Sequence, residues 1–209
     1  MQTESVRPQR KSNRLRGFNY SQCGYYFVTI CLKKRTYSFG KIVKSKMRLN
    51  EIGIIAQNHW LAIPAHYPDV RMDEFIMMPD HLHGIIVIDR ETDEPVTVGT
   101  EQCSVPTATT NKADGLHHNY GLLSKIIKSF KNEVTNAIKK SIGESEFAWQ
   151  RSYYDHVIRD DQSLIHIREY IIQNPHNWRM KDAGQTLETS LKHHWNIKSK
   201  AKLNRGRSF

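Results

Sequence analysis

Two groups of side chains in this sequence have the types and spacing to do chemistry. His81 and His83 stand one residue apart in Met77-Met78-Pro79-Asp80-His81-Leu82-His83-Gly84-Ile85-Ile86-Val87-Ile88, where apolar runs flank a Pro-Asp turn signal. If the segment is extended from His81 onward, its side chains alternate between faces, so both imidazoles project to one side and can reach one metal ion. A hydrogen-bonded histidine pair at a strand start has the same pattern. The second group is Tyr170 and Asn174 in Tyr170-Ile171-Ile172-Gln173-Asn174. At about 100° per residue they fall together at the edge of an apolar arc made by Leu164, Ile165, Ile167, Ile171 and Ile172, one helical turn apart. A tyrosine so placed could equally be a packing residue with its hydroxyl in water, and Asn174 a helix-end residue answering loose backbone groups.

Periodicity gives the elements that must hold these groups. Tyr25 to Leu32 is β-branched and aromatic and apolar on both faces, which predicts a central strand. Asn50 caps a predicted helix through about Ile63, in which Ile52, Ile55, Ala56, His59, Trp60 and Ile63 recur at helical spacing and which Pro64 and Pro68 stop. The strand pair around the histidines follows. From Gly121, Leu122, Leu123, Ile126, Ile127, Phe130, Val134, Ala137 and Ile138 form one helical stripe, with Lys125, Lys128, Lys131, Lys139 and Lys140 on a basic face. Residues 153–158 read as a strand entered through Trp149-Gln150-Arg151. Asp160 or Asp161 caps a last helix to about Asn174, because the residue before Pro175 is biased out of the helical region. The order β, α, β, β, α, β, α begins with the split βαβ arrangement of an α+β, ferredoxin-like fold: an antiparallel sheet with two helices on one face, here with an added C-terminal helix.

The 209 residues carry 31 Lys and Arg against 21 Asp and Glu, a net charge of +10. Such a balance favours a polyanionic partner, nucleic acid or an acidic membrane surface. No apolar run approaches the roughly 20 residues of a membrane-spanning helix, and Met1 to Ser5 lack a signal-peptide core, so a cytoplasmic location is expected. Cys23, Cys31 and Cys103 read as reduced thiols. Residues 1–20, with Arg14 and Arg16, form a basic arm; 21–180 form one domain, interrupted at 90–119 by an acidic, then Thr-rich inserted loop; and 181–209 form a basic tail with Lys198, Lys200 and Lys202. Neither an internal repeat nor a glycine-rich phosphate loop is present.

Met78-Pro79-Asp80-His81-Leu82-His83-Gly84, then Trp149-Gln150-Arg151-Ser152-Tyr153-Tyr154-Asp155-His156 with Ile158-Arg159, then Tyr170-Ile171-Ile172-Gln173-Asn174-Pro175 together resemble the single-tyrosine HUH transposases. More closely, they resemble the REP-associated tyrosine transposases, from about Tyr25 to Trp178. The resemblance implies that His81 and His83 are metal ligands, that Asn174 stands at the third-ligand position and that Tyr170 is the nucleophile. It further implies a magnesium- or manganese-dependent endonuclease and transesterase that cleaves and rejoins hairpin-associated single-stranded DNA through a 5′-phosphotyrosine. Expected partners are repetitive palindromic DNA elements, in a nucleoid-associated protein that is a monomer or a homodimer exchanging the tyrosine helix. Arg14, Arg16, Lys125, Lys128, Lys131, Arg151, Arg159, Lys198, Lys200 and Lys202 are the expected DNA contacts. Tyr120, Tyr153 and Tyr154 are rival nucleophiles, and a strand over 153–158 turns one of the last two into the core. Two other readings stand beside this one, a DNA-binding protein that has lost cleavage on the same fold and a metal nuclease that uses water.

Overall fold

The computed structural model describes residues 18–34, 39–89, 121–143 and 146–178. Residues 1–17 of the N-terminal arm, the 90–119 insertion and the basic tail, with Arg14, Arg16, Cys103, Tyr120, Lys198, Lys200 and Lys202, lie outside the described residues, whereas Phe18 and Tyr20, expected in the arm, pack on the core. Strand β1 (Gly24–Cys31) is central, as its two apolar faces require, and pairs antiparallel with β5 (His81–Ile88) and β6 (Tyr154–Ile158). Outside β5 lies β4 (Val70–Met77), giving the sheet order β4-β5-β1-β6. Helices α1 (Glu51–Leu61), α2 (Ile63–His66), α3 (Leu122–Ile142) and α4 (Asp161–Asn177) complete the α+β core. A separate hairpin, β2 (Gly40–Val43) and β3 (Lys46–Leu49), precedes α1.

Side-chain alternation divides the core into two layers. Tyr26, Val28, Ile30, Leu82 and Ile86 meet Ala56 and Trp60 of α1 and Leu123, Ile127, Phe130 and Val134 of α3 on one face. On the other, Tyr25, Phe27, Ile85, Val87 and Ile158 are covered by Leu164, Ile167 and Ile171 of α4. His81 and His83 share the parity of Ile85 and Val87, so the strand's period of two turns them toward α4. Between them and those apolar residues, Gly84 serves the opposite layer. A Cβ there would lie 2.5 Å from the fully buried Trp60 ring.

Four sequence expectations need correction. Pro64 does not end helical structure; α1 stops at Leu61, and Pro64 sits in the first turn of α2, where no N–H is needed. Helix α4 continues through Pro175 to Asn177, with Asn174 and Pro175 both buried, so packing outweighs the local bias of the residue before a proline. Ile165 and Ile172 leave the buried arc and are 52% and 61% exposed. The β2–β3 hairpin is absent from the expected element order. Of the two aspartates that could start the last helix, Asp160 is the cap, its Oδ1 accepting from the Ser163 N–H at 2.7 Å.

His156 lies opposite Phe27 in the β1–β6 register, on the α4 side. Burial, with Arg159 adding to it and Asp160 opposing, pushes its imidazole down to about 4. Between about pH 6.5 and 4 the unfolded chain therefore binds a proton that the folded chain refuses, so acidification across that window favours unfolding. Urea midpoints should fall from pH 7 to pH 4.5, and more steeply in wild type than in His156→Gln. Equal pH dependence in the two proteins would remove His156 as its source.

Candidate metal centre and tyrosine

His81 opens β5 after the Pro79-Asp80 turn, which the Met78 N–H closes onto the His81 carbonyl at 2.7 Å. Both imidazoles are buried. Nδ1 of His81 is 2.7 Å from Asp80 Oδ1, and Nδ1 of His83 is 2.8 Å from Thr29 Oγ1. With their outer nitrogens engaged, the two rings turn Nε2 toward Nε2 at 3.0 Å. A carboxylate that accepts from Nδ1–H leaves the lone pair on Nε2, the arrangement that orients a metal-binding histidine. Two ligand atoms each about 2.1 Å from one divalent ion and at right angles to one another are about 3 Å apart, so the observed separation fits a shared ion.

Asn174 is buried one turn beyond Tyr170, and its Nδ2 makes no hydrogen bond. A buried amide left unsatisfied marks a place for a ligand, and rotation of that amide exchanges its nitrogen for its oxygen. Among the described residues no three His, Cys, Asp or Glu side chains are placed to hold a metal together. A third protein donor drawn from the described residues would therefore be of another type, as the Asn174 amide is.

Helix α4 carries the Tyr170 hydroxyl to 3.4 Å from His83 Nε2, within the same chain. The phenol ring stands edge-on to His83 and Phe27, at centroid distances of 5.3 and 6.2 Å. Burial raises the Tyr170 pKa above its ordinary value, and the nearby Asn174 amide works the other way. The phenol is thus protonated at neutral pH. Phe27 stacks on His83 at 5.5 Å, while Trp178 at the C-cap of α4 lies 5.7 Å from His81. These aromatic walls shield the imidazoles from solvent.

Arg168 fixes α4 to the sheet. Its Nε is 3.0 Å from Asp73 Oδ1 and its Nη2 is 2.5 Å from Oδ2, a two-pronged pair between α4 and β4. Burial pushes the Asp73 carboxyl up, but Arg168 and the Glu74 N–H overcome this and hold it below the usual carboxylate range. Asp73 sits at the irregularity of β4 between Met72 and Phe75, which aims it at α4. Arg168→Met should lower stability by about 1 to 2 kcal/mol, given the exposed side of the guanidinium, and should slow chemistry more than binding because Tyr170 loses its anchor. Chemical denaturation together with single-turnover and binding measurements checks both parts. A loss of affinity alone would contradict a positioning role.

His81, His83, Tyr170 and Asn174 thus come together, whereas those of the expected cationic contacts that are among the described residues do not form one group. Lys125 and Lys128 are exposed on α3, in the layer opposite the histidines. Lys131 instead folds back, donating to the Gln150 and Ser152 carbonyls at 2.9 and 3.3 Å. Burial lowers it to about 8, with Cys31 opposing, so it is not an open surface charge. Arg151 is exposed at the histidine end of β6 and Arg159 at the far end. Tyr153 faces the α3 layer, with Lys131 over its ring, and Tyr154 faces α4. Asp80, Thr29, Phe27 and Trp178 join the site without having been expected there. Asp80 carried a signal, a carboxylate adjoining the first histidine; Thr29 carried none, since it reaches His83 across 54 positions.

No protein-family model matches the sequence. Over 172 residues it is 40% identical to an uncharacterized protein of Haemophilus influenzae, covering 81% of this chain and 89% of that one. The chain belongs to that protein's family. Among solved structures, this family member overlays a REP-associated tyrosine transposase bound to a REP hairpin with a TM-score of 0.49, 17% identity, and coverage of 79% of this chain and 74% of the other. A candidate transposase from Deinococcus radiodurans overlays with a TM-score of 0.40 and 14% identity, over 78% of this chain and 96% of that one. Both overlays are partial, so the chemistry of this family member rests on its own side chains. Among its described residues no helix is long and apolar enough to cross a membrane.

Proposed function

We propose that the protein is a single-tyrosine HUH enzyme of the REP-associated transposase type, which cuts and rejoins unpaired DNA beside a hairpin. The observation that carries this reading is a half-buried phenol, Tyr170, 3.4 Å from one of two converging imidazoles in the same chain. A net charge of +10 suits the polyanionic substrate. In the proposed reaction the Tyr170 oxygen attacks phosphorus in line with the departing 3′-oxygen. A phosphotyrosine bond forms, the P–O3′ bond breaks, and the phenolic proton is matched by one taken up at the released 3′-hydroxyl. Rejoining is the reverse attack by a 3′-hydroxyl, and because the phosphoester bond is exchanged rather than hydrolysed, no nucleotide cofactor is required.

His81, His83 and Asn174 would hold a magnesium or manganese ion, which would offset negative charge gathering on the phosphate oxygens. Asp80 and Thr29 orient the two imidazoles. Phe27 and Trp178 keep water from competing with the phenol. Arg168, through Asp73, holds α4 so that Tyr170 and Asn174 stay in register with the histidines. Mass-spectrometric search for a DNA-linked Tyr170 peptide after reaction with hairpin DNA tests the reading; its absence under conditions of strand cleavage would reject it.

A further inference from the structure

The β2–β3 hairpin plays no part in that chemistry, and it carries features that work against the fold. Lys41 lies directly across from Arg48, a like-charge pair on adjacent strands. Lys44 and Ser45, neither of them glycine, make the turn with φ of 49° and 59°, in the left-handed region. Alternation turns Met47 and Leu49 toward the core and leaves Lys41, Lys46 and Arg48 exposed, with Lys44 exposed at the tip. From Lys33 to Asn50 the sequence contains no Asp or Glu. Among the described residues none of these four cations forms an ion pair.

The root of the hairpin adjoins the candidate site. The Phe39 N–H donates to the Pro79 carbonyl at 2.8 Å, in the turn that carries Asp80 and His81, and the Asn50 N–H donates to the Phe39 carbonyl at 2.9 Å. Strand β3 also touches both α1 and α4.

We propose that this hairpin grips double-stranded DNA, with Lys41, Lys44, Lys46 and Arg48 on the sugar-phosphate backbone of the stem that flanks the cleaved strand. Repelling cations that form no ion pair among the described residues, set along a two-stranded ribbon, match a polyanion of fixed shape, and such a ribbon is of a width that fits the major groove. Unpaired strands are instead held by stacking on aromatic side chains, and the exposed residues of this hairpin are Lys41, Val43, Lys44, Lys46 and Arg48. Anchored on the Pro79 turn, the grip would fix how far the stem stands from Tyr170. That placement rests on the proposed reaction; the binding itself does not.

The test compares wild type with the triple variant Lys41→Gln, Lys46→Gln, Arg48→Gln on a fully paired stem without flanking bases and on an unpaired oligonucleotide, by fluorescence anisotropy over a salt series. Affinity for the stem should fall at least about tenfold, with a salt slope shallower by about 2 to 3, since each phosphate no longer neutralised takes about 0.9 from the slope. Affinity for the unpaired oligonucleotide should fall less than about threefold. The variant should melt no lower than wild type, since the Lys41–Arg48 repulsion is gone. Lys41→Arg with Lys46→Arg should keep stem binding. An unchanged salt slope on the stem, or equal losses on stem and unpaired strand, overturns the grip. Because the stem offers no strand to cut, either result leaves the phosphotyrosine test on Tyr170 standing separately.

Discussion

Tyr170→Phe should abolish the covalent protein–DNA product expected of the proposed reaction while leaving the fold in place. The ring contacts with Phe27 and His83 survive the change, and the hydrogen bond from the phenol to His83 Nε2 is a long one, 3.4 Å. Losing it should cost no more than about 1 kcal/mol. The lost oxygen, in contrast, is the proposed attacking atom, so adduct formation should drop below detection, by about a thousandfold or more. Tyr154 is the informative control. It faces the same layer as Tyr170 and lies across from Thr29, the residue that holds His83, but it belongs to β6 and has no amide one helical turn away. Burial, with Asp155 adding to it, makes its phenol harder to ionise. Tyr154→Phe should therefore retain the adduct on Tyr170. With labelled hairpin DNA and manganese, a denaturing gel and peptide mapping distinguish the outcomes; cleavage that persists in Tyr170→Phe would reject the assignment in favour of water or another tyrosine.

Removal of divalent metal should be nearly as severe. The inferred ligands are two neutral imidazoles and an amide, a set that binds magnesium weakly, so exhaustive chelation should stop cleavage and added manganese should restore it. A readout independent of activity is available in the melting curve. Manganese at about a hundred times its Kd should stabilise wild type by about 2.7 kcal/mol. His81→Asn and His83→Gln should lose most of that increment and should lose cleavage, while keeping most DNA affinity, which phosphate contacts elsewhere supply. Full activity after chelation would sink the metal hypothesis, and manganese stabilisation that survives in both histidine variants would move the ion elsewhere.

How much of this was legible depends on whether the signal was local. The histidine pair could be read because strand alternation is a property of neighbouring residues, and Tyr170 with Asn174 because one helical turn is about four positions. Thr29 could not, since only β1–β5 pairing brings it to His83. The hairpin was hidden for a chemical reason. Its turn is Lys44-Ser45, where two left-handed positions ordinarily call for Asn or Gly, and its four-residue strands are too short for periodicity to register. Ile165 and Ile172 misled in the other direction, because hydrophobic type places a residue on an arc but the width of the facing sheet decides how much of the arc is covered. Pro175 misled likewise, its local bias outweighed by burial of Asn174 beside it.

The contact between Gly84 and Trp60 makes the spacing of the imidazoles sensitive to the far side of the sheet. The Trp60 indole presses into the place of a missing side chain one residue beyond His83, and Phe130 meets it edge-on from α3. A tightly packed interior yields little, so volume added or removed there is passed through the thickness of β5 rather than absorbed. Trp60 and Gly84 are in that sense a tuning screw for the donor pair, reachable by mutation without altering any group that meets the substrate.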